Sequence, residues 1–515
     1  MTERVGIIDL GSNSARLIIV NIYANGAYNL VYHQKESVRL GEGLGESKRA
    51  LLNPKAVQRA IETLNTFAHM CQVIKVDKIL PVATAAVRGA EDGAEFIALL
   101  KEKTGISFRV INGLEEARLG YLGVMNTIDV QDALLFDLGG ASTEITLVRG
   151  REMLESVSLP IGAVNMTEKF KAADSLSHSA LTSLVNHITA QLTQLPWLKN
   201  IDLPVVGIGG TARNIAKIDK RLKDYPFDKI HNYRLGKMAV DEIWKTLIKT
   251  DLKERKKIAG LNRDRADIIL AGVTIIKAIL DISGGADLIV SGAGVREGIF
   301  YTHYFQNKNE TEIIPDILNH STWNALMFYK GGNAVHHLRV SEWAQAMFDA
   351  WQPLHQMNSR HKRLLKVAAT LHDIGISIDY YEHERHSAYL VENAALYGLT
   401  HREQVLTAIV AGLHHGYAAK YMRSKLYSDF LEPADVQAAR KLSVLLALAE
   451  GLEITQTHLV KKIDPTLENG KAHLKITAPE PAAMEIRAAS EHLKWFKKEF
   501  GAELVIKQLG EGNFL

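Results

Sequence analysis

Asp9-Leu10-Gly11-Ser12-Asn13-Ser14 closes an apolar run near the start of the chain. Asp137-Leu138-Gly139-Gly140-Ala141-Ser142-Thr143-Glu144 closes another far downstream. Each turn has an apolar strand before it and an alternating strand after it, Arg16 to Ile22 in the first copy and Glu144 to Val148 in the second. Each reads as a β-hairpin with a tip of small residues. Glycine lets the backbone come close to a ligand and aim successive N–H groups at it. Serine and threonine add hydroxyl donors, and an aspartate at the strand end holds a cation directly or through water. Two such tips facing each other make a seat for a phosphate chain and a metal ion.

Working outward, the first copy sits in a segment of about residues 1–130. Strands are expected at Val5–Asp9, Arg16–Ile22, Tyr28–Val38, Lys78–Ala83 and Phe108–Ile111, with helices over about 54–73 and 92–104 and another starting at Gly113-Leu114-Glu115-Glu116. Three strands in a meander followed by alternating helix and strand is an α/β pattern. The second segment, about 131–305, repeats the plan. It has helices over about 164–171 and 177–194 and near Ile268–Leu280, and strands at Leu203–Ile208 and Asp287–Ser291. Two related α/β lobes with a cleft between them follow. After a polar linker, Asn307 to Glu312, residues 313–455 read as helical, with helices over 342–352, 361–374, 403–415 and 437–450. The tail, 456–515, mixes strands at Leu459–Ile463, Ala472–Ile476 and Ala502–Lys507 with a helix over about 482–499, and reads as a small α+β domain.

A chain of 515 residues is long enough for this, since length alone suggests about three or four domains. Its 61 basic and 58 acidic residues leave a net charge of +3, which makes no case for nucleic acid. No stretch reaches the ~18 apolar residues of a membrane span, and no leader-like segment precedes the first strand. The single cysteine, Cys71, cannot form an intrachain disulfide; it reads as a buried helix position in a cytoplasmic protein.

Hydrolysing a phosphoanhydride needs an activated water, a metal to offset charge and donors for the oxygens. Glu116 lies just inside the helix after Ile111-Asn112-Gly113, so it can project into the cleft. Successive helical residues point about 100° apart, so at most one of Glu115 and Glu116 faces the site. Both also fit as first-turn acids favoured by the helix dipole. Glu144 follows the second tip, and Asp9 and Asp137 end their strands where metal ligation is natural. Arg88 follows a strand end, and Arg16, Arg213, Arg265 and Arg296 lie near expected turns or helix starts. An arginine fork suits phosphate oxygens, although each also fits an ordinary surface position. Gly209-Gly210-Thr211 is a further glycine turn before a helix, an anion seat.

These runs, with Ala83-Thr84-Ala85-Ala86-Val87-Arg88, Glu115-Glu116-Ala117-Arg118-Leu119 and Gly294-Val295-Arg296-Glu297-Gly298, together resemble the exopolyphosphatase and guanosine pentaphosphate phosphatase family. That family belongs to a superfamily that includes actin, sugar kinases and heat-shock chaperone ATPases. The resemblance implies an α/β fold of two actin-like (ribonuclease H-like) lobes around a central cleft, followed by an all-α HD-like domain and a small α+β C-terminal domain. It implies removal of the terminal phosphate from linear polyphosphate, or of the 5′ γ-phosphate from guanosine pentaphosphate. The long C-terminal extension favours polyphosphate. Glu116 would be the catalytic base, Glu144 would stand beside the metal or the water, and Asp137 would hold Mg²⁺ or another hard divalent cation, with Asp9 near. Ser12, Asn13, Ser14, Arg88, Gly139, Gly140, Ser142, Gly209, Gly210 and Thr211 would bind phosphate. A homodimer is expected, with no nucleic-acid or membrane partner. Two departures stand out: Ala141 replaces a third glycine of the second tip, and Asp92 stands where the family tends to have asparagine. A kinase or chaperone-like ATP switch in the same superfamily is the alternative of another class; the Glu115-Glu116 run speaks against it.

The helical region carries His336-His337, His372-Asp373, His386 and His414-His415, and resembles the HD phosphohydrolase fold. The fitting ligands for a second divalent metal are His337, His372 and Asp373, with Glu450 where a later aspartate would fall. The other reading is an inherited scaffold whose histidines make hydrogen bonds. Arg360, Lys362, Arg363, Lys420, Arg423 and Lys425 are candidates to guide a long polyanion, or form a solvated face.

Overall fold

The repeat visible in the two turns extends to the sheets that carry them. In a computed structural model, residues 2–44, 50–306, 311–330, 334–415, 427 and 430–509 are described. The first sheet holds β1 (Glu3–Leu10), β2 (Ser14–Ile22), β3 (Tyr28–Ser37), β4 (Lys78–Ala83) and β5 (Arg109–Val110), in the order β3-β2-β1-β4-β5. The second holds β6 (Ala133–Leu138), β7 (Thr143–Arg149), β8 (Glu152–Leu159), β9 (Val205–Gly209), β10 (Tyr233–Gly236) and β11 (Asp287–Val290), in the order β10-β11-β9-β6-β7-β8. Read from the meander inward, β8-β7-β6-β9-β11 repeats β3-β2-β1-β4-β5. β1–β2 and β6–β7 are antiparallel, while β1–β4 and β6–β9 are parallel.

Each parallel step is made by a crossover that includes a helix, Pro54–Val73 in the first sheet and His178–Leu192 in the second. The first starts where Asn53 accepts the Lys55 N–H and Pro54 needs no donor. Its Ala56, Ala60, Leu64, Phe67 and Cys71 are buried at three- and four-residue spacing, in one core with Ile8, Leu10, Leu17 and Ile19. Burial pushes the Cys71 thiol up to about 11, so the expected inert helix position holds. The apolar helix Ile269–Ser283 is the centre of the second core.

Several elements differ from expectation. β8 and β10 are strands beyond those expected; β8 pairs antiparallel with β7 and β10 with β11. The strand expected at Phe108–Ile111 is only Arg109–Val110.

Contacts divide the chain into two compact units, Met1–Ala24 with Tyr28–Ile317, and Asn25–Ala27 with Leu318–Leu515. The second unit contains the helices Val335–Ala350, Ser359–Leu371, His383–Asn393, His401–Leu413 and Pro433–Gly451. It also contains a sheet in the order β12 (Lys462–Glu468), β13 (Lys471–Thr477), β14 (Leu504–Leu509). Trp351, fully buried, joins helices to sheet: its indole donates to the Thr466 carbonyl (3.0 Å) and its ring meets Phe496 edge-on. The expected single helix over 482–499 is two, Ala483–Ser490 and Leu493–Phe500, and the strand expected from Leu459 starts at Lys462. No described helix is long and apolar enough to cross a membrane.

Candidate functional site

The two tips are built alike and touch. Gly11 N–H donates to Ser14 O at 3.1 Å, and Gly139 N–H to Ser142 O at 3.0 Å. A Cβ added at Gly140 would lie 3.0 Å from Ser12 Cβ and 3.5 Å from Asn13 N. The second tip is held from behind by the start of the helix Ala163–Phe170, whose Ala163 and Val164 N–H groups donate to Gly139 O and Gly140 O. Gly162 permits this approach, since a Cβ there would sit 2.4 Å from the Gly140 carbonyl atoms. Ala141 fits the tip, its carbonyl accepting from Asn165 Nδ2 at 2.8 Å. Asp92 lies at another task, accepting the Leu52 N–H.

The carboxylates come from four elements. Asp137 stands across the β6–β7 ladder from Glu144, and Asp9 stands across β1–β2 from Arg16. Glu116 lies in the first turn of the helix Gly113–Met125, where Asn112 caps the Glu115 N–H. Arg88 Nη1 donates to both the Ile111 carbonyl (2.8 Å) and Glu116 Oε2 (3.0 Å), so Glu116 is the inward member of its pair. Glu115 turns out to Arg109. The hydroxyls of Ser142 and Ser158 both donate to Glu144 Oε1, at 2.8 and 2.7 Å.

This arrangement is electrostatically crowded. Burial, then the nearby Glu144, raises Glu116 well above the usual carboxylate range. Burial also raises Glu144, against its two serine hydrogen bonds. Burial and Glu144 push Asp137 up to about 7, while Asp9, also raised by burial, is eased by Arg16. Repelling carboxylates in a low-dielectric cleft are a hard-oxygen donor set that suits a divalent cation.

Asp9, Glu116 and Asp137, but not the buried Glu144, line a cleft of about 740 Å³, counting its open part and within the range of small-ligand sites. Its wall includes Asp9, Asn13, Ser14, Glu116, Asp137, Gly139, Gly140, Gly209 and Gly210. Four arginines named only as candidates from sequence, Arg16, Arg213, Arg265 and Arg296, line it too. Burial and mutual repulsion lower Arg213 to about 9 and Arg265 to about 10. Among the described residues, Arg16, Arg213 and Arg265 have no carboxylate within ion-pair distance, whereas Arg296 has Glu297 at 3.9 Å. The Arg265 guanidinium lies against Gly210, where a Cβ would be 2.0 Å from Cζ. Gly209 has φ 107°, and its missing side chain clears the Leu138 carbonyl.

Other expected phosphate ligands stand back from the wall. Ser12 is buried under the first tip, Ser142 is turned to Glu144, and Arg88 is engaged by Glu116. Thr211 is a correction: it is buried in the core, packed against Gly272 on the apolar helix, because it follows the turn by one residue and points away from the cleft. Ser158, on the unexpected strand β8, carried no motif that could mark it. Arg16 did carry a signal: it occupies the position in its hairpin that Glu144 occupies in the other.

Among the described residues of the second unit two ligand-like groups form, His336 with His372 and Asp373, and His383 with His414, His415 and Glu450. His336, not the expected His337, reaches Asp373 (3.7 Å), since one residue along a helix turns the side chain by about 100°. The expected basic guide is partly spent locally: Arg360 pairs with Glu403 and Lys362 with Asp349. Lys420, Arg423 and Lys425 lie outside the described residues.

The sequence signature of the Ppx/GppA phosphatase family matches residues 18–306, and that of Ppx/GppA phosphatase domain III matches residues 322–493. A Vibrio cholerae serotype O1 protein named guanosine-5'-triphosphate,3'-diphosphate pyrophosphatase is 30% identical over 407 residues, 77% of this chain and 78% of that protein. The structure of an Aquifex aeolicus member of the Ppx/GppA family covers 60% of this chain and 100% of its own at 29% identity, TM-score 0.52. That of an exopolyphosphatase from Cytophaga hutchinsonii covers 59% and 98% at 25% identity, TM-score 0.54. With two touching glycine tips on a duplicated sheet and both signatures in chain order, this chain belongs to the Ppx/GppA phosphatase family, whose members hydrolyse phosphoanhydride bonds.

Proposed function

We propose that the chain removes the terminal phosphate from linear inorganic polyphosphate, with Glu116 as general base. The observation that carries this reading is the placement of Glu116 on the wall of the same cleft as Arg16, Arg213, Arg265 and Arg296. The arginines and the N–H groups of the two tips would hold the phosphoryl oxygens. Glu116 has a basicity raised by burial, and Arg88 fixes its orientation, so it would take a proton from water placed between it and the terminal phosphorus. The water oxygen would bond to that phosphorus as the bridging P–O anhydride bond breaks; orthophosphate is released and the shortened chain leaves with its charge held by the arginines.

Phosphatases of this family use divalent cations in general. Asp137 and Glu144, with Asp9 near, are the residues that would hold Mg²⁺ here. The bound cation supplies charge neutralisation at the phosphoryl oxygens. Ser142 and Ser158 would keep Glu144 in its rotamer for that task.

The name of the Vibrio cholerae relative, which aligns over 77% of this chain, favours a second reading: hydrolysis of guanosine pentaphosphate in the same cleft. Phosphate release from long polyphosphate and from guanosine pentaphosphate, measured side by side, tests both. A higher kcat/KM on polyphosphate is expected; the reverse ranking selects the nucleotide. Conformational change driven by ATP with no phosphate release from either would point to an ATP switch instead.

The four-part division into 1–130, 131–305, 313–455 and 456–515 belongs to this proposal, supported by three separate sheets and an intervening helical region among the described residues. So do a cytoplasmic location, supported by the buried lone thiol, and a homodimer that would extend the track for a long substrate. Sedimentation of the purified chain checks the dimer.

A further inference from the structure

We infer that the second unit holds a centre for two divalent transition-metal ions, bridged by Asp373. This goes beyond the cleft reading and does not depend on it.

Three histidines from different places in the chain share one device. His372 Nδ1 bonds the Ala369 carbonyl, His383 Nδ1 the Tyr380 carbonyl and His414 Nδ1 the Ala411 carbonyl, in each case the residue three positions back. A carbonyl only accepts, so each Nδ1 carries the proton and each Nε2 is left with its lone pair, the form in which imidazole binds a metal. All three Nε2 atoms point at one carboxylate oxygen: Asp373 Oδ1 is 3.7 Å from His372, 3.1 Å from His383 and 3.9 Å from His414. His372 and His414 are at most 1% exposed, and their Nε2 atoms have no hydrogen-bond partner among the described residues. Lone pairs aimed at one another and at a carboxylate, in a buried space, are satisfied by a cation at their focus.

The ligands divide into two sets that meet at Asp373. His336 and His372 lie on one side, with His336 Nε2 3.7 Å from Asp373 Oδ2. His383, His414, His415 and Glu450 form the other, with Glu450 3.3 Å from His414 and 3.1 Å from His415. Asp373 presents Oδ2 to His336 and Oδ1 to His372, His383 and His414, so one carboxylate reaches ligands of both sets, as in a bridged pair, in which ions sit about 3.5–4 Å apart. Five imidazoles and two carboxylates select zinc, manganese, iron, cobalt or nickel over magnesium, which prefers all-oxygen sites. His415 is the solvent-facing ligand, 39% exposed, and gives the centre an open side.

The test counts metal on the full chain carrying Asp137→Asn, which weakens the cleft as a competing site. After loading with Zn²⁺ and exhaustive dialysis, elemental analysis should find about two ions per chain, and Co²⁺ loading should give imidazole-ligated visible absorption bands. Asp373→Asn should lose both ions, and His414→Gln at least one. Should those variants fail to fold, His415→Gln at the exposed edge should lower the count or weaken Zn²⁺ retention at least tenfold. Fewer than two retained ions, or retention unmoved by every folded variant, overturns the proposal.

Discussion

Glu144 faces Asp137 across the β6–β7 ladder at the register position where Arg16 faces Asp9 in the β1–β2 ladder. The duplicated hairpin thus carries an opposite-charge pair in one lobe and a like-charge pair in the other. Like charges directly opposite on a sheet are destabilising, so the second hairpin calls for a cation and the first does not.

Replacing Glu144 by Gln should relieve that repulsion. In metal-free buffer the variant should be more stable than the parent by about 1 kcal/mol, read from denaturant midpoints. Its activity should need at least tenfold more Mg²⁺. An unchanged Mg²⁺ titration would remove Glu144 from the cation site.

Glu116→Gln keeps the hydrogen bond to Arg88 available but cannot accept a proton. A positioned base is worth roughly 100-fold or more, so kcat should fall by that factor while KM stays within about threefold. Steady-state phosphate release measures it, and a variant with parental kcat places the base elsewhere.

Arg213→Met removes a guanidinium from the cleft wall without disturbing an ion pair, since Arg213 bonds only weakly to the Gly292 carbonyl (3.4 Å). A charge-assisted hydrogen bond contributes roughly 1.5–3 kcal/mol, so polyphosphate affinity should drop about 10- to 100-fold in equilibrium binding at fixed salt. Unaltered affinity would mean that the anion lies elsewhere.

Glu116 is positioned partly from a distance. A Cβ at Gly298 would lie 2.0 Å from the Leu119 carbonyl oxygen, so the helix Val295–Gln306 touches the backbone of the helix that bears Glu116. Gly298→Ala should cost about 1–3 kcal/mol of stability by overpacking and lower kcat by shifting Glu116. Full activity at full stability would show that the helices part freely.

His231 accepts from the Gly292 N–H at 3.1 Å and donates from its other nitrogen to the Thr127 carbonyl at 2.9 Å, holding a loop of the cleft wall. Burial lowers its pKa, against the Thr127 bond. Below about pH 6.5 the unfolded chain therefore takes up a proton that the folded one does not. This contribution to stability is complete above that pH and declines as pH falls toward the folded pKa. His231→Gln, which can donate and accept in the same places, should show a shallower stability loss between pH 7 and 5.5 in denaturant titrations; equal slopes would exclude His231 as the titrating group.

Much of the cleft is written in local patterns. Small residues at 11–14 and 139–142 force tight tips between apolar strands, and Asn112-Gly113 starts a helix with Glu116 in its first turn. Such features depend on a few neighbouring residues, so one chain suffices to read them. They also placed Asp9, Asp137, Gly209 and Gly210 at strand ends on the same wall.

The remaining assignments depend on partners distant in the chain. Arg265 reaches Gly210 across 55 positions, and Ser158 reaches Glu144 only because the unmarked strand β8 pairs with β7. Thr211 points into the core, and His336 rather than its neighbour His337 joins His372 and Asp373, since a helix's rotation about its axis follows from what it packs against. Local composition writes the turns, caps and strand ends of this protein; the gathering of four arginines and of seven metal-type ligands comes from sheet register and helix packing, which are set by contacts between residues far apart along the chain.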